Sequence, residues 1–147
     1  MCGTGTLPAR MNFLKRRLAM IALFVIGRII FGLYFLYNSY QHFAKLGMMA
    51  GYAKSKGVPM AQFSVIFSGL LLLLGGLSIL LGIYPLVGII LLILFLVPVT
   101  FMMHQFWAAK EPMQKMSETI NFLKNMALIG ALLMLFLIPR PWPAGLM

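Results

Sequence analysis

Residues 63–103 read FSVIFSGLLLLLGGLSILLGIYPLVGIILLILFLVPVTFMM and contain no charged side chain. A bilayer core about 30 Å thick is crossed by roughly 20 apolar helical residues, so this stretch has room for two crossings, Phe63 to Leu81 and Leu86 to Met103. The four residues between them, Gly82-Ile83-Tyr84-Pro85, allow only a tight reversal, which makes the two helices antiparallel neighbours. Strands are not an alternative. Sustained Leu and Ile runs lack the polar alternation of a barrel, and an open sheet would leave backbone groups unsatisfied in lipid.

Working outward, two further runs are long enough to span: Leu18 to Tyr37, interrupted by Arg28, and Ile120 to Ile138, interrupted by Lys124. The sequence therefore predicts an all-α integral membrane protein, a four-helix up-and-down bundle over residues 18–138. A basic segment, 1–17, precedes the bundle, and a Pro-rich tail, 139–147, follows it. The first run is longer than the roughly 7–15 apolar residues of a signal core and has no Ala-x-Ala site after it, so it is expected to be retained. Pro139-Arg140-Pro141-Trp142-Pro143 cannot continue a helix, and its Trp and Arg are expected at the lipid headgroup level.

Composition agrees. Of 147 residues, 62% are apolar and 10% charged, with a mean hydropathy of +0.97, outside the range of soluble domains. Twelve Lys and Arg stand against two acids, Glu111 and Glu118, giving a net charge of +10. The cations fall in short clusters between uncharged runs, the pattern of membrane-protein loops. The bilayer is thus the expected partner and nucleic acid is not. Cys2 is the single cysteine, which excludes an internal disulfide and a thiol relay. Arg10, Lys15, Arg16 and Arg17 ahead of the first span favour a cytoplasmic N-terminus and, with four crossings, a cytoplasmic C-terminus. With Arg140 these make five cations on the inner side against Lys45, Lys54, Lys56, Lys110 and Lys115 in the outer loops, so the tally is even and this orientation rests on the first helix.

At 100° per residue, Arg28, Gly32, Phe35, Ser39 and His42 share one stripe of the first helix, with Asn38 at its edge; such a stripe faces protein. Arg28 is expected near the middle of its span. With no acid in any span to pair with, it needs a neutral hydrogen-bonding group, a backbone carbonyl, water, a lipid phosphate or a ligand. Ser68, Gly75, Ser78 and Gly82, with Gly69 and Gly76 beside them, are small residues that let helices approach closely. The up-and-down order brings Asn38, Gln41, His42, Gln62, Thr100, His104, Gln105, Glu118, Asn121, Lys124 and Asn125 to one end of the bundle. From these and the stripe, the candidate polar interior or ligand-binding residues are Arg28, Asn38, His42, Thr100, His104, Asn121, Lys124 and Asn125. Mutual hydrogen bonding that fastens the bundle is the leading expectation; proton relay or anion binding is the alternative. No catalytic residue is assigned. A metal site is not expected either, because two imidazoles and Glu118 have no ligand spacing that fixes them.

Several segments are familiar. Gly27-Arg28-Ile29-Ile30-Phe31-Gly32-Leu33-Tyr34-Phe35 followed by His42-Phe43 resembles the opening helix of the DoxX family of small four-helix membrane proteins. Gly51-Tyr52-Ala53-Lys54-Ser55-Lys56-Gly57-Val58-Pro59 is similar to that family's first loop, and residues 68–88 to its second and third helices. Val99 to Trp107 and Asn121 to Asn125 resemble its later segments, so the likeness covers most of residues 24–138. It implies a four-helix bundle of the inner (plasma) membrane, with Arg28, His104 and Lys124 as positions of a polar interior. This chain departs from the family in having Asn38-Ser39 where small residues or Gly are common, and His42 where many members carry Lys. Most bacterial members have no assigned reaction. Some are linked to sulfur-compound oxidation coupled to membrane quinone, others to complexes of oxidative-stress enzymes. The expected role is a non-enzymatic subunit or scaffold that docks membrane or periplasmic proteins, or further copies of itself, with no resident cofactor. The alternative is a redox subunit with His104 and Lys124 hydrogen-bonding a quinone.

Overall fold

The computed structural model describes residues 6–146; the thiol of Cys2 lies outside the described residues. Five helices follow one another: α1 (Thr6–Ala44), α2 (Leu46–Ser55), α3 (Ala61–Leu81), α4 (Pro85–Met103) and α5 (Pro112–Phe136). No strand occurs among the described residues. Four helices are long and apolar enough to cross a membrane, so the chain is an all-α, multi-pass membrane protein. The first connection, expected as a loop, instead contains α2, ten residues that are too short to span. No proline interrupts Leu46–Ser55, the first one after it being Pro59, and its Leu, Met, Ala and Lys residues are good helix formers that offset Gly47 and Gly51.

The sequence explains the tight turn between α3 and α4. Gly82 ends α3 in the left-handed region at φ +69°, and Pro85 opens α4 at a position where its missing N–H costs nothing. Ser78 locks the reversal by donating to the carbonyls of Ile83 at 2.7 Å and Tyr84 at 3.0 Å. Along the α3–α4 seam, a Cβ on Gly75 would lie 2.6 Å from Leu92 Cγ, so the absence of a side chain permits this approach. The core is a single cluster of Phe35, Leu72, Ile79, Ile89, Leu92, Leu96, Leu132 and Trp142.

Helix α1 runs antiparallel to α3, and their contacts fix its height in the bundle. Gly32 faces Leu80, Ser39 donates to the Gly69 carbonyl at 2.8 Å, and Gly82 lies beside the Arg28 guanidinium. Arg28 is therefore level with the end of α3, not at mid-span as the run Leu18 to Tyr37 suggested. The reason is an offset in register. The apolar run of α1 begins ten residues before Arg28, the residue that lies beside the end of α3, a rise of about 15 Å along the helix.

The tail covers part of that overhang. Trp142, expected among lipid headgroups, is only 3% exposed and packs edge-on against Phe24 with ring centroids 5.3 Å apart. Arg28 Nη1 donates to the Pro143 carbonyl at 3.1 Å, and Nη2 to that of Ala144 at 2.9 Å. Leu146 N–H donates to the Leu81 carbonyl at 3.2 Å, closing the tail over the α3–α4 turn. Arg28 thus finds a neutral partner, two backbone carbonyls, among the kinds its lack of an acid requires.

Two glycine substitutions should separate close packing from helix propensity. Gly75→Val is expected to lower stability by about 1–3 kcal/mol through overpacking against Leu92. A Cβ on Gly130 meets nothing within 4 Å, so Gly130→Ala should raise stability by about 0.5 kcal/mol. Thermal unfolding in detergent micelles reads both; equal effects would contradict the packing assignment.

Candidate functional site

The end of the bundle formed by the C-terminus of α4 and the N-terminal turns of α5 carries its densest polar cluster. Glu118, in the second turn of α5, is 4% exposed. A carboxylate taken out of water is costly unless hydrogen bonds and opposite charge replace its hydration. Three side chains do so. The Tyr52 hydroxyl donates to Oε1 at 2.6 Å, Lys56 Nζ donates to the same oxygen at 2.7 Å, and His104 Nδ1 lies 2.8 Å from Oε2. An ionised carboxylate only accepts, so Nδ1 carries the imidazole proton in this contact.

Local structure aims these donors. Tyr52 and Lys56 are four apart, which puts them on one face of α2 and its C-cap, turned toward α5. Lys56 also lies over the Tyr52 ring, 5.4 Å from its centroid. His104 is the C-cap of α4, where the helix ends and the ring is free to turn toward the neighbouring helix. Glu118 alone therefore joins α2, α4 and α5.

Burial pushes the Tyr52 hydroxyl above its ordinary range, and its hydrogen bond to Glu118 adds to the rise. Burial acts on Lys56 in the opposite sense, but its hydrogen bonds to Glu118 and Tyr52 prevail and the ammonium ends above its usual value.

The other expected residues are placed separately. Asn38 Nδ2 donates to the Tyr34 carbonyl at 2.7 Å, within α1. His42, 8% exposed, turns Nδ1 to the Asn38 carbonyl at 2.8 Å and sets its ring edge-on to Phe95. Thr100 is fully buried and donates to the Leu96 carbonyl, one turn back in α4. Asn125 is buried on α5. Lys124 donates to Asn121 Oδ1 at 3.1 Å on an exposed part of α5. Six residues after Glu118, Lys124 is about 120° away around the helix and faces elsewhere. His104 and Lys124, expected to act together, thus have different partners. Arg28 lies at the opposite end of the bundle with the tail.

Tyr52 and Lys56 were not among the expected site residues, because the first connection read as an exposed loop with lysines. A signal was present in the spacing Tyr52-x-x-x-Lys56 together with a scarcity of acids that makes every carboxylate valuable to a nearby cation. Among the described residues no group of three or more His, Cys, Asp or Glu side chains could hold a metal ion. In the Glu118 cluster both oxygens of the carboxylate are engaged by the three donors.

Its disruption should be measurable. Glu118→Gln keeps the shape but replaces one accepting oxygen by an amide donor, which loses at least one of the three bonds and removes the charge from the rest, and is expected to cost about 1–3 kcal/mol in detergent unfolding. Combined with Lys56→Met, the loss should be clearly less than the sum of the single losses; additive losses would refute the pairing. The folded-state values of Tyr52 and Lys56 both lie above their ordinary 10.0 and 10.5. Their contribution is therefore complete below about pH 10 and is lost as pH rises through the folded values. The unfolding temperature should fall more steeply above pH 10 in the parent than in Glu118→Gln.

The DoxX family model matches residues 22–105, from α1 before its bundle contacts to the residue after the α4 C-cap. Comparison with curated proteins and with solved structures returned no match. The match extends over more than half of the chain and takes in Arg28, His42, the α3–α4 turn and His104, so the chain belongs to the DoxX family.

Proposed function

We propose that this DoxX protein is a non-enzymatic subunit or scaffold of a complex in the inner (plasma) membrane, with both termini in the cytoplasm. One observation carries the reading: the buried charges are consumed in holding the fold together. Glu118 has both oxygens occupied by donors from two other parts of the chain, and Arg28 is spent on the tail. A general acid or base needs a free face toward its substrate, and neither group has one.

The external faces support partner docking. Only 11% of the most apolar stretch of α5 is buried, although α5 is as long as a spanning helix needs to be. Leu123, Leu133, Met134 and Phe136 are exposed along it. Without a hydrophobic driving force between helices in lipid, a partner helix would associate through close packing and polar contacts, and Lys124 with Asn121 offers the latter on α5. The partners proposed are membrane or periplasmic proteins, or further copies of the chain.

The alternative redox role places a quinone between His104 and Lys124. These two side chains are held by different partners, Glu118 and Asn121, and the lysine lies about 120° around α5 from Glu118, which favours the scaffold reading.

Crosslinking in native membranes followed by mass spectrometry should recover a reproducible partner; recovery of uncrosslinked chain alone would overturn the scaffold reading. Lipids co-extracted in mild detergent are expected to lack stoichiometric quinone, and His104→Ala should leave membrane electron transfer unchanged. Reporter fusions at the C-terminus and near Lys54 should report opposite sides, the former cytoplasmic.

A further inference from the structure

Outside the Glu118 cluster, an open groove of about 620 Å³ lies between α2 and the first turns of α3. Its walls include Gly51 and Lys54 on α2 and Gln62, Phe63 and Ile66 on α3. The volume is in the range of ligand sites, roughly 300–1,000 Å³. We propose that this groove binds an anionic phospholipid, with its phosphate at Lys54 and Gln62 and an acyl chain along Phe63 and Ile66.

Three features identify the occupant. The first is position. Phe63 and Ile66 lie in the opening turns of a membrane-spanning helix, while Lys54 is on the short helix outside it, so the groove sits where hydrocarbon meets headgroups. A lipid enters from the side and needs no separate path.

The second is continuity. Phe63, Phe67, Leu70 and Leu74 follow one another at helical spacing and are all exposed, with the Phe63 and Phe67 rings stacked 6.2 Å apart. The groove therefore opens onto an apolar stripe that points down the helix in the direction an acyl chain would take.

The third is charge. Lys54 has no ion-pair partner among the described residues, because Glu118 is taken by Lys56 on the other face of α2. An exposed, unpaired ammonium about 4 Å from a lipid phosphate in a hydrated headgroup layer is attracted by about 1 kcal/mol, which is about fivefold in affinity.

The Glu118 cluster builds the site without belonging to it. Tyr52 and Lys56 reach from one side of α2 to Glu118 on α5, which leaves Ala50, Gly51 and Lys54 on the other side to form the wall.

The test uses the full chain in detergent, titrated with phosphatidylglycerol or with zwitterionic phosphatidylcholine and observed by native mass spectrometry. The parent should retain phosphatidylglycerol at lower concentration than phosphatidylcholine. Lys54→Gln should weaken phosphatidylglycerol about fivefold and leave phosphatidylcholine unchanged. Gly51→Leu should abolish retention of both. A Cβ at Gly51 meets nothing within 4 Å and Leu is a better helix former than Gly, so this variant fills the groove while unfolding at or above the parent temperature. A photoreactive side chain at position 62 should label lipid in native membranes. Equal retention of the two lipids by the parent, parent-like binding by Gly51→Leu, or labelling of a protein in place of lipid would each overturn the proposal.

Discussion

The carboxylate of Glu118 is the contact on which one end of the molecule depends. The chain has two acids, and Glu111 stands exposed at the start of α5, so Glu118 alone brings negative charge into the bundle. Inside a low-dielectric bundle such a charge is either neutralised or expelled. The three donors that neutralise it come from α2, its C-cap and the end of α4, so satisfying one side chain fixes where three helices meet. Helix α2 has most need of this. Ten residues are too few for a stable isolated helix, and α2 is held by packing on α3 and α1 and by its two bonds to Glu118.

The opposite end solves the inverse problem, a buried cation with no acid available. Backbone carbonyls can take the place of a carboxylate where they are not already used within a helix. The tail supplies them. Pro139 follows closely on the end of α5, and with Pro141 and Pro143 it keeps the tail out of a helix, which frees the carbonyls of Pro143 and Ala144 to accept from Arg28. Gly82 completes the arrangement, since a Cβ there would lie 2.6 Å from Arg28 Nη1 and 2.8 Å from the Gly145 backbone. A residue required by the turn for its positive φ is thus also required by the guanidinium for space.

The fold was legible because hydropathy and turn chemistry are local. The uncharged stretch 63–103 and its Gly82–Pro85 break define two helices with no reference to the rest of the chain, and the other spans follow from length alone. The site was legible only in part. Placing polar residues at one end follows from up-and-down order, and His104 does lie there in a polar contact. Its partner set did not follow, because whether Lys56 projects into water or reaches across to Glu118 depends on α2 being helical and on its rotation. Periodicity over so short and weakly patterned a segment does not determine either. Arg28 was misplaced for a related reason. A run of apolar residues gives the length of a span but not its height against neighbouring helices, which is set by contacts such as Gly32 with Leu80. Trp142 shows the limit of composition most clearly: an aromatic beside prolines and an arginine reads as an interfacial anchor, whereas the Arg28–carbonyl bonds draw the tail inward and bury the indole against Phe24.

The same economy of charge bears on function. A carboxylate engaged by three donors can take up a substrate or change its protonation only by giving up the bonds that hold α2, so chemistry at Glu118 would be coupled to movement of that helix. Movement of α2 would in turn alter the groove on its far side, whose wall it forms. The two faces of this short helix are therefore linked: one faces the buried acid, the other lines the groove with Lys54, which has no ion-pair partner among the described residues. A ligand in the groove that favours the docked position of α2 stabilises the Glu118 cluster by the same free energy with which the cluster favours the ligand.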